Sequence, residues 1–322
     1  MHPVLSEARV LNGVSIASEI KAEVAEQVAA ARSDGYTPGL AVVLVGENPA
    51  SQIYVRSKIK TCAELGIRSE MHTPPATITT EELLALVRTL NERDDVDGIL
   101  IQLPLPAQVN TDLLLEAVDP RKDVDGFHPI NAGRLLSGVP IEAVLAPCTP
   151  AGILEVLRRS EIPIGGARAV VLGRSNIVGK PVAAMLINAS ATVTVCHSRT
   201  RDLPSITREA DILVAAIGRA GFVTPEMVRP GSTIIDVGIN RLTSEAEFER
   251  FFPPEHPEYA SRRESFAKRG STVIGDVDPA AFSLAGAYTP VPGGVGALTI
   301  AMLMSNTVKA ARLRRSRAGR RG

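Results

Sequence analysis

Short β-branched apolar runs alternate with longer amphipathic stretches through most of this chain, and that alternation predicts an α/β fold. Residues 16–32 (IASEIKAEVAEQVAAAR) have helical spacing and GLAVVLVG (39–46) reads as a buried strand. SQIYVRSKIKTCAELG (51–66) reads as a helix opened by a Ser51 cap and closed by Gly66. A helix at 80–92 leads to the strand VDGILIQLPLP (96–106), whose apolar run ends in a proline-rich turn, and a further helix begins near Thr111. APCTPAG (146–152) reads as a loop carrying two prolines, followed by the helical ILEVLRRS, so a domain boundary is expected there. Strands follow at 168–172, 192–196, 211–217 and 233–237, with a helix at 180–190 after the first. This is the strand spacing of a dinucleotide-binding sheet. The charged, proline-broken stretch 241–272 reads as a surface excursion between two apolar strands, with no chemistry assigned to it. The turn TPVPGGVG (289–296), an apolar helix at about 297–313 and the basic end RLRRSRAGRR complete the chain.

At 322 residues the chain is long for one hydrophobic core, and two domains of ordinary size are expected. Lysine plus arginine equal aspartate plus glutamate at 35 each, which removes any overall electrostatic argument for nucleic acid or an anionic membrane. Cys62, Cys148 and Cys196 are scattered singly, without the spacing of a disulfide framework or a zinc site, so a reducing cytoplasm is the expected compartment and no metal is expected. Glu7 and Arg9 interrupt the N-terminus, and no run of about 18 apolar residues occurs, so neither a signal peptide nor a membrane span is expected. Arg312, Arg314, Arg315, Arg317, Arg320 and Arg321 are expected to form a disordered, solvated tail, the alternative being a weak contact with an anionic partner.

GRSNIVGKP (173–181) directly follows the apolar run Ala169–Leu172. Gly173, Ser175 and Gly179 stand where a dinucleotide fold places its glycine turn, with helix N–H groups free for a pyrophosphate. Alone, G-x-S-x-x-x-G fits either such a turn or a plain strand-to-helix loop. The next strand ends in His197, Ser198 and Arg199, where an NAD site presents a carboxylate to the ribose 2′-hydroxyl. Arg174 and Arg199, with Ser198, instead suit a 2′-phosphate, which makes the reading NADP; the alternative is solvated loop arginines.

In the first half, Tyr54 and Lys58 are four apart on one helical face, fit either for a shared ligand or for edge packing with the lysine in water. Gln102 lies at the carboxyl end of an apolar strand, the end where open α/β sheets hold ligands. In KDVDGFHP (122–129), Asp123 is assigned to turn chemistry and Asp125 stands beside it. The glycines of PVPGGVG let backbone approach a flat ligand closely, or serve a helix-entry loop.

Taken together, SQIYVRSKIKTCAELGI, ILIQLPLP, KDVDGFHPIN, PCTPAGI, GRSNIVGKP and TPVPGGVGALTIAMLMSNT resemble the bifunctional methylenetetrahydrofolate dehydrogenase/cyclohydrolase family, in order, from about residue 10 to 310. The resemblance implies a catalytic, folate-binding domain at 1–149, completed by a returning C-terminal helix at 296–322, and a Rossmann-type NADP domain at 150–295 carrying the 241–272 insertion. It implies Lys58 as the catalytic lysine, Tyr54 beside the folate, Gln102 holding the lysine, Leu103 near the substrate and Asp125 on the pterin-like ring. The turn Pro292, Gly293, Gly294, Val295 and Gly296 would close over the folate. Gly173, Arg174, Ser175, Ser198 and Arg199 would hold NADP, with Ile239 against the nicotinamide. A homodimer of one-carbon metabolism, acting on a small folate in a cleft shared by both domains, is the implied assembly.

The implied chemistry suits these residues. Oxidising a methylene bridge between two nitrogens needs alignment more than a strong base. Adding water to the resulting cation needs proton transfer, which a lysine partly withdrawn from water can assist. Ala297 stands where the family commonly has proline after PGGVG, and the 241–272 stretch exceeds the usual connection. An amino-acid or shikimate type NADP dehydrogenase shares the architecture but leaves Tyr54, Lys58 and Gln102 unexplained. A binding protein without turnover leaves Lys58 unexplained.

Overall fold

The computed structural model describes residues 8–318. The chain separates into two compact units, one of Ala17–Ala151 with the chain from Thr299 onward, the other of residues up to Ile16 with Gly152–Leu298. In chain order the elements are β1 (Arg9–Val10), α1 (Gly13–Ser33), β2 (Gly39–Val43), α2 (Pro49–Leu65), β3 (Arg68–His72), α3 (Thr80–Glu92), β4 (Gly98–Ile101), α4 (Thr111–Ala117), α5 (Pro129–Leu136) and α6 (Cys148–Arg159). There follow β5 (Arg168–Leu172), α7 (Gly179–Asn188), β6 (Thr192–Cys196), α8 (Leu203–Thr207), β7 (Ile212–Ala215), β8 (Thr233–Asp236) and β9 (Asn240–Leu242). Then come α9 (Glu245–Phe251), α10 (Tyr259–Arg269), β10 (Thr272–Ile274), β11 (Ala287–Tyr288) and α11 (Val295–Ala318).

One unit is built on a parallel sheet of order β3-β2-β4. Its central strand β2 is buried along its whole length, which is why GLAVV carries no polar residue. Ala41, Val43, Leu83, Val87, Leu90, Ile99 and Leu114 pack as one core against α3 and α4. Thr79 and Glu82 close a capping box at the start of α3. The Lys122 ammonium, itself buried, satisfies the carbonyls of Leu90, Asn91 and Arg93 at the other end, at 3.0, 2.7 and 2.6 Å. Helix α2 begins earlier than expected. Asn48, not Ser51, is its cap: the Asn48 side chain accepts the Ser51 N–H at 3.1 Å, Pro49 opens the first turn, and Gly66 closes the helix at φ 75°.

The second unit holds a six-stranded, all-parallel sheet of order β1-β11-β8-β7-β5-β6. Strand order reverses beside β5, with β6 on one side and β7 on the other, so the carboxyl ends of β5 and β7 form the switch point where such sheets hold ligands. Val170, Leu172, Leu213, Ala215, Ile234 and Val277 lie at the heart of its core.

Three expectations are corrected. APCTPAG is not a loop: Pro150 sits in the first turn of α6, where a missing N–H costs nothing, and the passage from one unit to the other falls inside that helix. The 241–272 stretch is not a bare excursion, because β9 and β10 pair antiparallel and Leu242, Phe248, Phe251, Phe252 and Ile274 bury a core of their own against Tyr259 and Phe266. The arginines of the tail are not all solvated either. Arg314 and Arg315 lie in α11 and each donates at 2.6 Å to Asp97, which is fully buried; Arg320 and Arg321 lie outside the described residues.

Candidate active site

Lys58 sits on the third turn of α2, only 8 % exposed, and its Nζ donates to Gln102 Oε1 at 3.0 Å. Gln102 is the residue after β4, and its own Nε2 donates to the Leu103 carbonyl at 2.7 Å. That second bond fixes the amide so that its oxygen faces the lysine. Tyr54 lies one turn earlier on α2 and is 47 % exposed, which leaves its ring open to a flat ligand. The Leu103–Pro104 peptide is cis and turns the chain sharply after Gln102.

Asp125 belongs to the same unit. Burial pushes its carboxyl up to about 6, while the Lys58 ammonium nearby pulls the other way and Asp123 adds to the rise. Its loop is held from several sides. Asp123 accepts the N–H groups of Phe127 and His128 and the Asn131 amide at 3.2, 2.8 and 2.9 Å, the turn role expected of it. Asn306 of α11 donates to the carbonyls of Val124 and Ala146, each at 2.8 Å. Cys148 donates its thiol to the Val124 carbonyl at 3.3 Å and lies 3.9 Å from Asp125, and burial holds that thiol far above its ordinary range. Sequence reasoning did not single out Asn306 or Cys148. Buried single polar residues in apolar runs were the signal available.

In the six-stranded unit, the glycines of GRSNIVGKP do what a dinucleotide turn requires. Gly173 has φ 120°, and a side chain there would collide with the Ala216 carbonyl at the switch point; a side chain at Gly179 would collide with the Gly173 carbonyl. Ser175, in place of a second glycine, accepts the N–H groups of Val178 and Gly179 at 3.2 and 3.3 Å, ordering the entry to α7. Arg174, Ser198 and Arg199 are exposed, and neither guanidinium has a carboxylate partner among the described residues. His197 Nδ1 accepts the Arg199 N–H at 3.1 Å, ordering the turn after β6. These residues fit a phosphorylated dinucleotide: a glycine turn, a helix N-terminus and two unpaired cations.

Ile239 is 56 % exposed, an uncovered apolar side chain beyond β8. A pair of buried carboxylates that the sequence reading missed shapes its surroundings. Asp276 accepts the N–H groups of Ile217, Gly218 and Arg219 at 2.6, 2.8 and 2.8 Å. Asp236 accepts those of Gly238, Asp276 and Val277 at 3.0, 2.8 and 3.0 Å, and burial pushes its carboxyl up to about 7. Val295 and Gly296 already belong to α11, so the turn proper is Pro292–Gly294. Thr289, fully buried, anchors its approach through the Asp236 N–H at 2.8 Å.

Comparison with known proteins agrees with this geometry. Residues 11–125 match the tetrahydrofolate dehydrogenase/cyclohydrolase catalytic domain, and residues 147–315 the NAD(P)-binding domain of the same family. The chain is 61 % identical to the bifunctional protein FolD of Koribacter versatilis (strain Ellin345), covering 96 % of this chain and 98 % of that one. The crystal structure of bifunctional FolD, a methylenetetrahydrofolate dehydrogenase/cyclohydrolase from Campylobacter jejuni, is similar at 45 % identity and TM-score 0.85, covering 95 % and 99 % of the two chains. The Trypanosoma brucei enzyme, solved with NADP cofactor and inhibitor, is similar at 38 % identity and TM-score 0.83 over 97 % and 99 %. Two family domains in order, near-complete coverage and high identity settle the relationship: this chain belongs to the tetrahydrofolate dehydrogenase/cyclohydrolase family.

Proposed function

We infer that this chain oxidises 5,10-methylenetetrahydrofolate to the 5,10-methenyl cation and hydrolyses that cation to 10-formyltetrahydrofolate, and that Lys58 carries the hydrolysis. The observation that carries the reading is the Lys58–Gln102 bond, a buried ammonium held at the ligand-binding end of a parallel sheet. NADP bound at the Gly173 turn supplies the hydride acceptor for the first reaction. The side chains around it orient and bind: the exposed Arg174 and Arg199 meet the 2′-phosphate, Ser175 and Ser198 donate to phosphate oxygens, and Ile239 offers an apolar contact. The choice of NADP over NAD rests on the absence of a carboxylate among His197, Ser198 and Arg199, the residues directly after β6.

Lys58 acts in the second reaction. Water adds to the methenyl carbon, the tetrahedral adduct collapses, one carbon–nitrogen bond breaks and one proton is released to solvent. Nζ can pass a proton between the adding water and the departing ring nitrogen while Gln102 Oε1 holds one of its N–H groups. Tyr54 offers its open ring face to the substrate, and Asp125 accepts from the N–H edge of the pterin-like ring when ionised. Leu103 and the turn Pro292–Gly296 contact the same substrate in this reading.

Homodimerisation belongs to the reading as well. Strand β6 is an edge of the six-stranded sheet, and Val195 upon it and Ile187 of α7 are 38 % and 55 % exposed, apolar surface that a second copy would cover. Light scattering on the purified protein reads the assembly directly. For the activity, NADPH formation from 5,10-methylenetetrahydrofolate and loss of methenyl absorbance are followed with the same preparation; both signals are expected, and loss of either one alone removes that half of the reading.

A further inference from the structure

The insertion at 241–272 is tied to the glycine turn by one side chain. Arg262 of α10 is 14 % exposed and spends its guanidinium on three elements at once. Nη2 donates to the Val291 carbonyl at 2.6 Å, Nη1 to the Val273 carbonyl of β10 at 2.8 Å, and Nε to the Glu258 carboxylate at 2.8 Å. The plane of the group lies 5.0 Å from the centre of the Phe252 ring, inside the insertion's own core. Val291 is the residue immediately before Pro292, and the peptide between them is cis. The turn therefore hangs between Thr289, locked to Asp236, and a carbonyl held by a nearly buried cation.

Gly293 offers its carbonyl to the Val14 N–H at 3.2 Å, a side chain at Gly13 would collide with the Gly294 carbonyl, and one at Gly294 would collide with the Pro290 carbonyl. Ala297 stands where proline would stiffen the exit of the turn. A planar donor fork on the carbonyl of residue 291 supplies rigidity at the entrance instead, at a site where a guanidinium reaches two carbonyls and a carboxylate at once and an ammonium cannot.

We propose that Arg262 is a positioning residue for the folate: the 241–272 module serves to hold the Pro292–Gly294 turn in its substrate-contacting conformation. This rests on the reading of that turn as a folate contact. The Arg262 donors are spent on Glu258, Val273 and Val291 of the protein itself, so its removal changes how well the turn is formed and leaves the proton chemistry at Lys58 alone.

The test compares wild type, Arg262→Ala and Arg262→Lys in steady-state assays of both activities, with NADP affinity and amide exchange of residues 293–297 measured on the same samples. Losing hydrogen bonds from a charged donor is expected to raise KM for 5,10-methylenetetrahydrofolate about 10-fold in Arg262→Ala and about 3-fold in Arg262→Lys. NADP affinity, bound within the same unit as Arg262, stays at the wild-type value, and exchange at 293–297 quickens in both variants. Should Arg262→Ala fail to fold, Arg262→Lys decides. A wild-type folate KM with wild-type exchange in a folded variant overturns the proposal, as does a parallel loss of NADP and folate affinity, which marks a general structural role. A wild-type protein that does not turn over the folate at all overturns the reading of the turn rather than the role of Arg262.

Discussion

Lys58 Nζ donates to Gln102 Oε1 at 3.0 Å, joining the third turn of α2 to the carboxyl end of β4 across 44 positions of sequence. Because Gln102 is itself pinned to the Leu103 carbonyl, the lysine is held by an acceptor that cannot turn away. Gln102→Leu leaves a buried ammonium without that acceptor, and cyclohydrolase kcat is expected to fall about 10- to 100-fold. The dehydrogenase half is expected to fall less, because alignment and not proton transfer limits it. Separate assays of the two half-reactions measure the split; equal losses would contradict it.

Acid is expected to weaken folate binding through Asp125. Burial pushes its carboxyl up to about 6, and only the ionised form presents both oxygens, with their charge, as acceptors to the two N–H groups of a ring edge. Below pH 6 the folate dissociation constant should therefore rise towards tenfold per unit of pH, and Asp125→Asn should bind weakly with no such slope. Stability runs the opposite way. The folded state holds this proton more tightly than the unfolded chain, so the contribution is full below the ordinary aspartate range and is lost as pH rises through about 6. Denaturant unfolding at pH 5 and 8 reads that sign as a smaller pH-dependence in Asp125→Asn.

Arg174 and Arg199 stand exposed, with no carboxylate partner among the described residues, one after β5 and one after β6. Replacing both by glutamine is expected to weaken NADP about 100-fold and NAD by no more than about 3-fold, since only the former carries the 2′-phosphate. Calorimetric titration with each dinucleotide checks it. An unchanged preference would remove the argument from the missing carboxylate.

Asp97 is fully buried and accepts from Arg314, Arg315 and the Gly39 N–H, the two cations at 2.6 Å and the amide at 3.1 Å. Asp97→Ala takes the buried acceptor from two partly exposed cations and the Gly39 N–H and is expected to cost about 1.5–3 kcal/mol of unfolding free energy. Chemical denaturation measures it, and a loss below about 1 kcal/mol would mean that α11 is held without this contact.

Strands β2, β4, β5, β6, β7 and β8 were legible as short apolar runs between turn residues, and β5 and β6 fall at 168–172 and 192–196 as periodicity places them, whereas β3 (RSEMH) and the two-residue β1 and β11 carry no such pattern and were missed. Residue position alone put Lys58 on one helical face with Tyr54 and Gln102 at a strand end; only the family resemblance paired Gln102 with the lysine. What stayed hidden depends on partners distant in sequence. Nothing near Arg314 announces Asp97, more than 200 positions away, so a basic run read as solvated. Phe248 and Phe252 are outnumbered by charges in their own segment, and their burial follows from packing on Leu242 and Ile274 across the insertion. Asn48 was passed over for Ser51 because both are good caps, and Pro49 decides by fixing where the first turn starts. Asp236 and Asp276 were missed because their partners are backbone N–H groups, which no side-chain pattern records.

The most direct test of the account is the hydrolysis of 5,10-methenyltetrahydrofolate by Lys58→Met, measured beside NADP binding on the same preparation. Methionine keeps the length of the side chain and fits the same partly apolar site, so the fold and the Gly173 turn are undisturbed. Loss of hydrolysis to the uncatalysed rate with wild-type NADP affinity is the predicted result. Hydrolysis at the wild-type rate in a folded Lys58→Met protein would contradict it.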